Sequence, residues 1–90
     1  MKTNSMKLGF IGTGNMAGAI MGGIIKNEIF RPEEIIGADI SAAGRERVKD
    51  MYRINVTDNN REAAEKSEVL ILSVKPQYYA DAIAEIKDCV

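Results

Sequence analysis

The stretch that decides the fold is Lys7-Leu8-Gly9-Phe10-Ile11-Gly12-Thr13-Gly14-Asn15-Met16-Ala17. An apolar run of strand length leads into a Gly-x-Gly-x-x-Ala turn, and residues with helical spacing follow it. Gly12 lets the chain turn sharply off the strand, Gly14 lets the backbone approach a phosphate, and Ala17 lets the helix pack on that strand. The N–H groups of the first helical turn then point at an anion. The pattern predicts a dinucleotide-binding turn.

An acidic residue follows at the expected distance. Ile35-Ile36-Gly37-Ala38-Asp39 is a short apolar run that ends in a carboxylate, 22 positions beyond Ala17. A carboxylate at this point accepts hydrogen bonds from the ribose hydroxyls of the adenosine half of a dinucleotide. The alternative is that Asp39 is only a turn or N-cap residue after a strand.

Composition restricts the class of protein. The 90 residues are enough for one small domain, spanning residues 1–90, with 46% apolar and 28% charged residues as in soluble globular proteins. A net charge of −1 with mixed signs argues against nucleic-acid and membrane-surface partners. The longest apolar run is shorter than a membrane span. The polar start, Met1-Lys2-Thr3-Asn4-Ser5, lacks the apolar core of a secretion signal, so we expect a cytoplasmic protein.

The chain has few side chains that could serve as catalytic groups or metal ligands. There is no histidine, and the single cysteine, Cys89, can form no internal disulfide. The carboxylates are scattered rather than paired. We therefore expect a structural role for Cys89, no metal site, and no catalytic residue within residues 1–90.

The rest of the chain alternates short apolar runs with helical patterns. Ser41 is placed to cap a helix running to about Tyr52, and Asn59 with Glu62 resembles a capping box. The last strand is continuously apolar, which is typical of a strand covered on both faces. The predicted strands are Leu8–Ile11, Ile35–Ala38, Ile54–Val56 and Val69–Val74, and a final amphipathic helix carries Tyr79, Ile83 and Ile86.

This alternation predicts the α/β class, a Rossmann-type parallel sheet with strand order 3-2-1-4 and helices on both faces. The order of strands reverses between the first and the fourth, so their carboxyl ends open a crevice where ligands bind. Gly12–Met16 is expected to form one wall of the crevice and Ser73–Pro76 the other.

With these elements assigned, the sequence resembles the N-terminal domain of the pyrroline-5-carboxylate reductase family. The opening signature of that family is similar to Ile11-Gly12-Thr13-Gly14-Asn15-Met16-Ala17-Gly18-Ala19-Ile20, and its second signature is similar to Ser73-Val74-Lys75-Pro76-Gln77. The resemblance covers nearly all 90 residues but only about a third of a family member. Those enzymes reduce the cyclic imine pyrroline-5-carboxylate to proline with NADPH or NADH.

The resemblance implies cofactor contacts in two segments. It places Gly12, Thr13, Gly14, Asn15 and Met16 at the pyrophosphate, and Val74, Lys75 and Pro76 near the nicotinamide. It also implies that Asn60 touches the adenosine end, although Asn60 could equally be a residue that only starts a helix. For Lys75 we favour a backbone contact with the side chain in solvent over a catalytic ammonium group.

The choice between NADP and NAD rests on opposing features. The carboxylate of Asp39 would repel a 2′-phosphate and so favours NAD, whereas Arg45 and Ser41 just beyond it could offset the repulsion. The family resemblance implies NADPH. We expect NADP, with NAD as the alternative.

The resemblance also implies a missing part. In the family a C-terminal helical domain forms the dimer and the substrate pocket, so residues 1–90 alone should bind cofactor without turning over substrate. The alternatives are the cofactor domain of another reductase, acting on a deazaflavin or a β-hydroxyacid, and a free-standing dinucleotide sensor. A reading frame that continues past Val90 would favour the enzyme. The exposed edge of the fourth strand, or the terminal helix, predicts self-association.

Overall fold

The computed structural model of the chain describes residues 6–89. Strands and helices alternate along this range, joined by short 3-10 turns at Pro32–Glu34 and Pro76–Tyr78. None of the helices in this range has both the length and the apolar character needed to cross a bilayer. The elements are β1 (Met6–Ile11), α1 (Asn15–Lys26), β2 (Ile35–Ala38), α2 (Ala42–Tyr52), β3 (Asn55–Thr57), α3 (Asn60–Lys66), β4 (Ser67–Leu72) and α4 (Tyr79–Ile86).

The four strands form one parallel sheet in the order β3-β2-β1-β4. Phe10 at the centre of β1 stands opposite Gly37 of β2 and Ile71 of β4. β1 pairs with a strand on each side, and its residues from Leu8 to Ile11 are buried, as is typical of a central strand in a parallel sheet. The predicted Rossmann-type α/β fold with strand order 3-2-1-4 is confirmed.

Alternation along the strands divides the core into two layers. Helices α1 and α2 cover the face that carries Leu8 and Phe10, and α3 and α4 cover the face that carries Ile11. Sequential strands joined by right-handed crossovers place helices on opposite faces once the direction of growth reverses. The first layer contains Leu8, Phe10, Ala17, Met21, Ile35, Val48 and Ile54, and the second contains Ile11, Ile36, Ala38, Ala63, Ala64, Ala82, Ile86 and Cys89.

The packing of α1 on α2 differs from the sequence-based expectation. In the sequence, Gly18, Gly22 and Gly23 inside the first helix predict close packing of that helix on the sheet, and helical spacing predicts that Met51 faces inward. Instead, a Cβ at Gly22 would lie 3.3 Å from the ring of Tyr52, and Gly23 faces open space. Met51 is 63% exposed. The larger ring of Tyr52, the next residue, takes the inward position beside α1, which leaves Met51 on the outer side.

The last strand and helix are less covered than their hydrophobicity predicts. Expected between Val69 and Val74, β4 runs from Ser67 to Leu72, and Val69 is 55% exposed because no strand or helix of the described chain covers its side of the edge. In α4 the buried face is Ala82 and Ile86, one turn apart, while Ile83 is half exposed. The expected Tyr79–Ile83–Ile86 stripe is therefore only partly a core face.

Helix α3 is capped by one half of the expected capping box. The Oδ1 atom of Asn59 accepts hydrogen bonds from the N–H groups of Arg61 (2.9 Å) and Glu62 (3.4 Å). The carboxylate of Glu62 does not return to the backbone of Asn59. It accepts instead from the hydroxyl of Thr57 and, at 2.7 Å, from the ammonium of Lys66. These bonds connect helix α3 to the carboxyl end of β3, on the side of the sheet where the crevice opens.

Candidate functional site

A cavity of about 550 Å³ opens at the carboxyl ends of the strands, where the order of strands reverses between β1 and β4. Its walls come from the turn after β1, the end of β2, the start of α3, the segment after β4 and one face of α4. This is the position at which open α/β sheets bind ligands. Of the residues singled out from the sequence, those that line the cavity are Gly12, Thr13, Gly14, Asp39, Asn60, Ser73, Val74 and Lys75.

Gly12 is required by the geometry of the turn. Its φ of 95° lies in the region that favours glycine. A Cβ there would lie 3.0 Å from the carbonyl oxygen of Ser73. The Ser73 side chain holds this contact, because its Oγ donates to the carbonyls of Gly12 (2.8 Å) and Ile11 (3.1 Å). The turn after β1 and the segment after β4 are therefore locked together.

Gly14 has no such structural requirement within the chain. It is the N-cap of α1 with φ −73° and ψ −167°, and a Cβ there would have no neighbour within 4 Å. The first intrahelical bond runs from Gly18 N to Gly14 O, so the N–H groups before Gly18 have no helical acceptor. The first turn carries no acidic side chain. The open space above these donors fits a pyrophosphate.

Asn15 and Met16, the first residues of α1, are exposed and do not line the cavity itself. Asn15 lies on a neighbouring groove between α1 and α2. The side chain of Met16 is 56% exposed. Their backbone N–H groups, which precede the first intrahelical bond of α1, are the part of these residues that is available to an anion.

Asp39 is bonded within the protein through both carboxylate oxygens. Oδ2 accepts from the N–H (3.0 Å) and the hydroxyl (2.7 Å) of Thr13, and Oδ1 accepts from the N–H of Ser41 (2.9 Å). Burial opposes ionisation of the carboxyl group, but the Thr13 and Ser41 hydrogen bonds and the charge of Arg45 outweigh it and lower the pKa of Asp39 below its usual value. Asp39 therefore joins the glycine turn to the loop after β2 as a carboxylate.

Two guanidinium groups from α2 border this region. Arg45 donates to the backbone oxygen of Asp39 and Arg47 to the backbone oxygen of Thr13, each at 2.7 Å. Ser41 caps α2, since its Oγ accepts from the N–H of Gly44 at 3.2 Å. Ser41 and Arg45 stand beside the cavity rather than in its wall.

The remaining predicted residues lie on the opposite side of the cavity. Asn60 is the first residue of α3 and is half-buried. The side chain that caps the helix is that of Asn59. The side-chain amide of Asn60 has no hydrogen-bond partner among residues 6–89. Lys75 is exposed with φ −62° and ψ 148°, the extended geometry that a following proline favours. Pro76 begins the turn into α4 and does not line the cavity.

One face of α4 was missed from the sequence. The sequence predicts only an amphipathic core helix after Pro76, yet the polar side of α4 and the turn before it line the cavity. The spacing of Tyr78, Ala82 and Glu85 is that of a single helical face and could have indicated this wall. The cavity-lining residues that sequence reasoning did not single out are Ala38, Ile40, Tyr78, Asp81, Ala82 and Glu85.

Metal chemistry has no candidate in the described part of the chain. Residues 6–89 contain no group of three carboxylate or thiol side chains close enough to hold an ion. The Cys89 sulfur is buried and lies 3.6 Å from a carboxylate oxygen of Glu65. Desolvation raises the pKa of the Cys89 thiol against the opposing charge of Arg61, and the carboxylates of Glu65 and Asp88 add to the rise. Such a thiol is a poor nucleophile at neutral pH.

Comparison with known proteins agrees with this geometry. The chain is 42% identical over 82 residues to a pyrroline-5-carboxylate reductase of Synechocystis, a match that covers 91% of this chain and 31% of the relative. It is 37% identical over 83 residues to the enzyme of the same name from Arabidopsis thaliana, covering 92% of this chain and 30% of the relative. The chain thus spans about a third of the length of these relatives.

Solved structures give the same relationship. A pyrroline-5-carboxylate reductase from Coxiella burnetii superposes with a TM-score of 0.87 at 33% identity, over 94% of this chain and 31% of that one. The Plasmodium falciparum pyrroline carboxylate reductase, solved with NADP bound, superposes with a TM-score of 0.77 at 27% identity, over 96% of this chain and 30% of that one.

The match to a protein family is nearly as long as the chain. The family described as NADP oxidoreductase coenzyme F420-dependent matches residues 7–89, from β1 to the residues after α4. That description names the deazaflavin-dependent class which the sequence left as an alternative, whereas the individual relatives are pyrroline-5-carboxylate reductases. The chain belongs to this family of NADP oxidoreductases and corresponds to the N-terminal domain of the pyrroline-5-carboxylate reductases.

Proposed function

We propose that this chain is the cofactor-binding part of a pyrroline-5-carboxylate reductase, which transfers hydride from NAD(P)H to the imine carbon of 1-pyrroline-5-carboxylate to give L-proline. The observation that carries the proposal is the turn from Gly12 to Gly14, which opens the donors of α1 onto the cavity. The bound nicotinamide supplies the hydride. The residues of this chain bind the pyrophosphate, orient the dinucleotide across the carboxyl ends of the strands and hold the Gly12–Gly14 turn in place.

Calorimetric titration of the chain with NADPH, NADP, NADH and NAD tests the binding half of this proposal. We expect saturable 1:1 binding of at least one of these cofactors. Binding of none would remove the proposal. Oxidation of NADPH by a longer protein that contains this chain, with pyrroline-5-carboxylate as substrate, tests the reaction.

The principal rival is a reductase that exchanges hydride between NADP and a deazaflavin, and the family description favours it. The Asn15-Met16 pair and the Val74-Lys75-Pro76 segment support the proline-forming enzyme instead, as do the individual relatives. Replacing pyrroline-5-carboxylate by coenzyme F420 in the same assay separates the two. A free-standing dinucleotide sensor would bind cofactor and catalyse neither reaction.

We propose NADP as the preferred cofactor, with Arg45 as the residue that favours it. Its guanidinium uses one donor on the Asp39 carbonyl, which leaves four N–H donors for a 2′-phosphate. Replacing Arg45 by Gln removes the charge and should weaken NADP about tenfold, or about 1.4 kcal/mol, with NAD changed less than about twofold. Dissociation constants from calorimetry check this.

Arg47→Gln is the matched control, because Arg47 makes the same kind of bond to the Thr13 carbonyl at the same distance. It should affect NADP and NAD equally. An equal loss of both cofactors in the Arg45→Gln variant would assign Arg45 to loop structure instead of cofactor selection. NAD binding at least tenfold tighter than NADP in the unmodified chain would reverse the preference.

We also propose that the chain self-associates through the outer edge of β4. No strand pairs with this edge in residues 6–89, and Val69 on it is 55% exposed. Glu68, paired at 3.3 Å with Lys7 of β1, is the charged residue of this strand, so the segment after it is unprotected.

Charge on the edge should abolish this association. Val69→Lys places a cation on an open strand, so we expect light scattering at high concentration to report monomers, whereas the unmodified chain forms larger species. Met51→Lys is the control, since Met51 is similarly exposed but lies on α2. A monomeric unmodified chain, or equal effects of the two variants, would contradict edge pairing.

The remaining expectations stay predictions from the sequence. These are a cytoplasmic location, which rests on the polar start from Met1 to Ser5, and the lack of nucleic-acid and membrane partners, which rests on the charge balance.

A further inference from the structure

Thr13 occupies both acceptor positions on one carboxylate oxygen of Asp39, Oδ2. Its N–H and hydroxyl both donate to Oδ2, at 3.0 and 2.7 Å. A carboxylate oxygen has two lone pairs, so Oδ2 is saturated. Oδ1 already accepts from the N–H of Ser41 and keeps one position. One acceptor position of Asp39 therefore remains for a ligand.

An unmodified ribose presents two hydroxyl donors, at its 2′ and 3′ carbons. Tight recognition by a carboxylate uses an acceptor position for each of them. The single remaining position of Asp39 can receive one hydroxyl only. A ribose that carries a 2′-phosphate has only one hydroxyl donor left, so the single acceptor position of Asp39 is enough for it.

The placement of Thr13 is supported by neighbours on two other elements. Its side chain is fully buried. A Cβ at Gly37 of β2 would lie 3.0 Å from its Cγ2, and a Cβ at Gly44 of α2 would lie 3.0 Å from its Oγ1. Both glycines leave the space that this side chain fills, and contacts this close would force a displacement. The Thr13–Asp39 pair is therefore a packed and fixed part of the site.

We infer that Thr13 is a specificity-determining residue of the cofactor site, which limits recognition of the unmodified ribose of NAD by saturating one oxygen of Asp39. The inference rests on the proposed function, because it concerns the same cavity. It deepens that proposal by explaining how a site with an acidic residue after β2 accepts NADP. Asp39 serves as a tether between two loops, and Arg45 beside it provides free donors.

The test compares Thr13→Val, which keeps the shape and removes the hydroxyl, with Thr13→Ser, which keeps the hydroxyl. Dissociation constants for NAD, NADP and 2′-deoxy-NAD are measured by calorimetry. In Thr13→Val the ratio of the NAD constant to the NADP constant should fall about tenfold, because Oδ2 regains an acceptor position. Thr13→Ser should keep the ratio of the unmodified chain.

Two further readouts separate this role from a purely structural one. The unmodified chain should bind NAD and 2′-deoxy-NAD within about threefold of each other, whereas Thr13→Val should prefer NAD about tenfold. Carboxyl NMR titration should show the pKa of Asp39 rising in Thr13→Val but not in Thr13→Ser, because the side-chain hydrogen bond that lowers it is lost.

An unchanged NAD-to-NADP ratio in a folded Thr13→Val variant overturns the inference while leaving cofactor binding intact. Equal weakening of both cofactors would also overturn it, since it would show structural damage only. If valine at this position prevents folding, the unmodified chain decides: a preference for NAD over 2′-deoxy-NAD of tenfold or more would refute the limit on Asp39. Binding of neither dinucleotide by the unmodified chain would refute the proposed function itself.

Discussion

Replacing Gly14 by Val should abolish dinucleotide binding while leaving the fold in place. The added side chain meets nothing in the protein within 4 Å of its Cβ, so the folded chain has room for it. The φ of −73° at this position is open to any residue. The side chain would instead stand in front of the first-turn donors of α1, the place that we propose for the pyrophosphate. We expect a loss in affinity of at least 100-fold, or about 2.7 kcal/mol, by calorimetry.

Gly23→Val is the matched control. Gly23 lies in the same helix, and a Cβ there also has no neighbour within 4 Å, but it is two turns from the cavity. Valine has a better helix propensity than glycine, so this variant should bind normally and be slightly more stable. Normal binding by Gly14→Val would mean that the cofactor site is elsewhere.

Gly12→Ala should have the largest effect on stability of the changes considered. A residue with a Cβ is strained at φ 95°, and that Cβ would press on the carbonyl of Ser73 at 3.0 Å. We expect the free energy of unfolding to fall by about 3 kcal/mol, measured by urea denaturation with linear extrapolation. For a domain of this size such a loss is a large share of total stability.

Gly23→Ala provides the comparison, because the same substitution at an open helical position should raise the free energy of unfolding by about 0.5–1 kcal/mol. Cofactor binding by any folded Gly12→Ala population should also be weakened, since the turn cannot keep its shape. A Gly12→Ala variant as stable as the unmodified chain would show that the turn relaxes without cost.

The fold could be predicted because its signals are local. The turn at Gly12, the acid at Asp39 and the cap at Ser41 each occur where one strand or helix gives way to the next, and rules for parallel sheets supply the strand order. Strand bounds shifted by one or two residues, as at β4, because pairing partners decide where a ladder ends.

Burial was harder to predict, since it depends on what lies opposite. Tyr52 packs against α1 in place of the more hydrophobic Met51, and Ala82 faces the core in place of the larger Ile83. The continuous apolar run of β4 predicts a strand that is covered on both faces. In the described chain, however, β4 is the outermost strand and no further strand lies beyond it. Periodicity identifies a helical face without stating which neighbour it meets.

The sequence indicated many of the residues that line the cavity, but not the contacts between them. Thr13 and Asp39 were both singled out, yet their hydrogen bonds join residues 26 positions apart and depend on the alignment of β1 with β2. The same holds for the wall formed by α4, whose polar face is visible in the sequence only as an ordinary amphipathic pattern. A local pattern can indicate a helical face, but it does not state which distant segment that face meets.

The bonds from Ser73 to Ile11 and Gly12 also have a consequence for the order of folding. They close a loop of about 60 residues, so the glycine turn receives its partner only after β4 has paired with β1. During synthesis, a nascent chain that ends before Ser67 contains the whole Gly-x-Gly-x-x-Ala motif but has no β4 against which to hold it. Contacts of such long sequence separation form late, because loop-closure entropy must first be overcome. Acquisition of cofactor binding should therefore coincide with completion of the sheet, and a bound dinucleotide would mark chains that have finished folding.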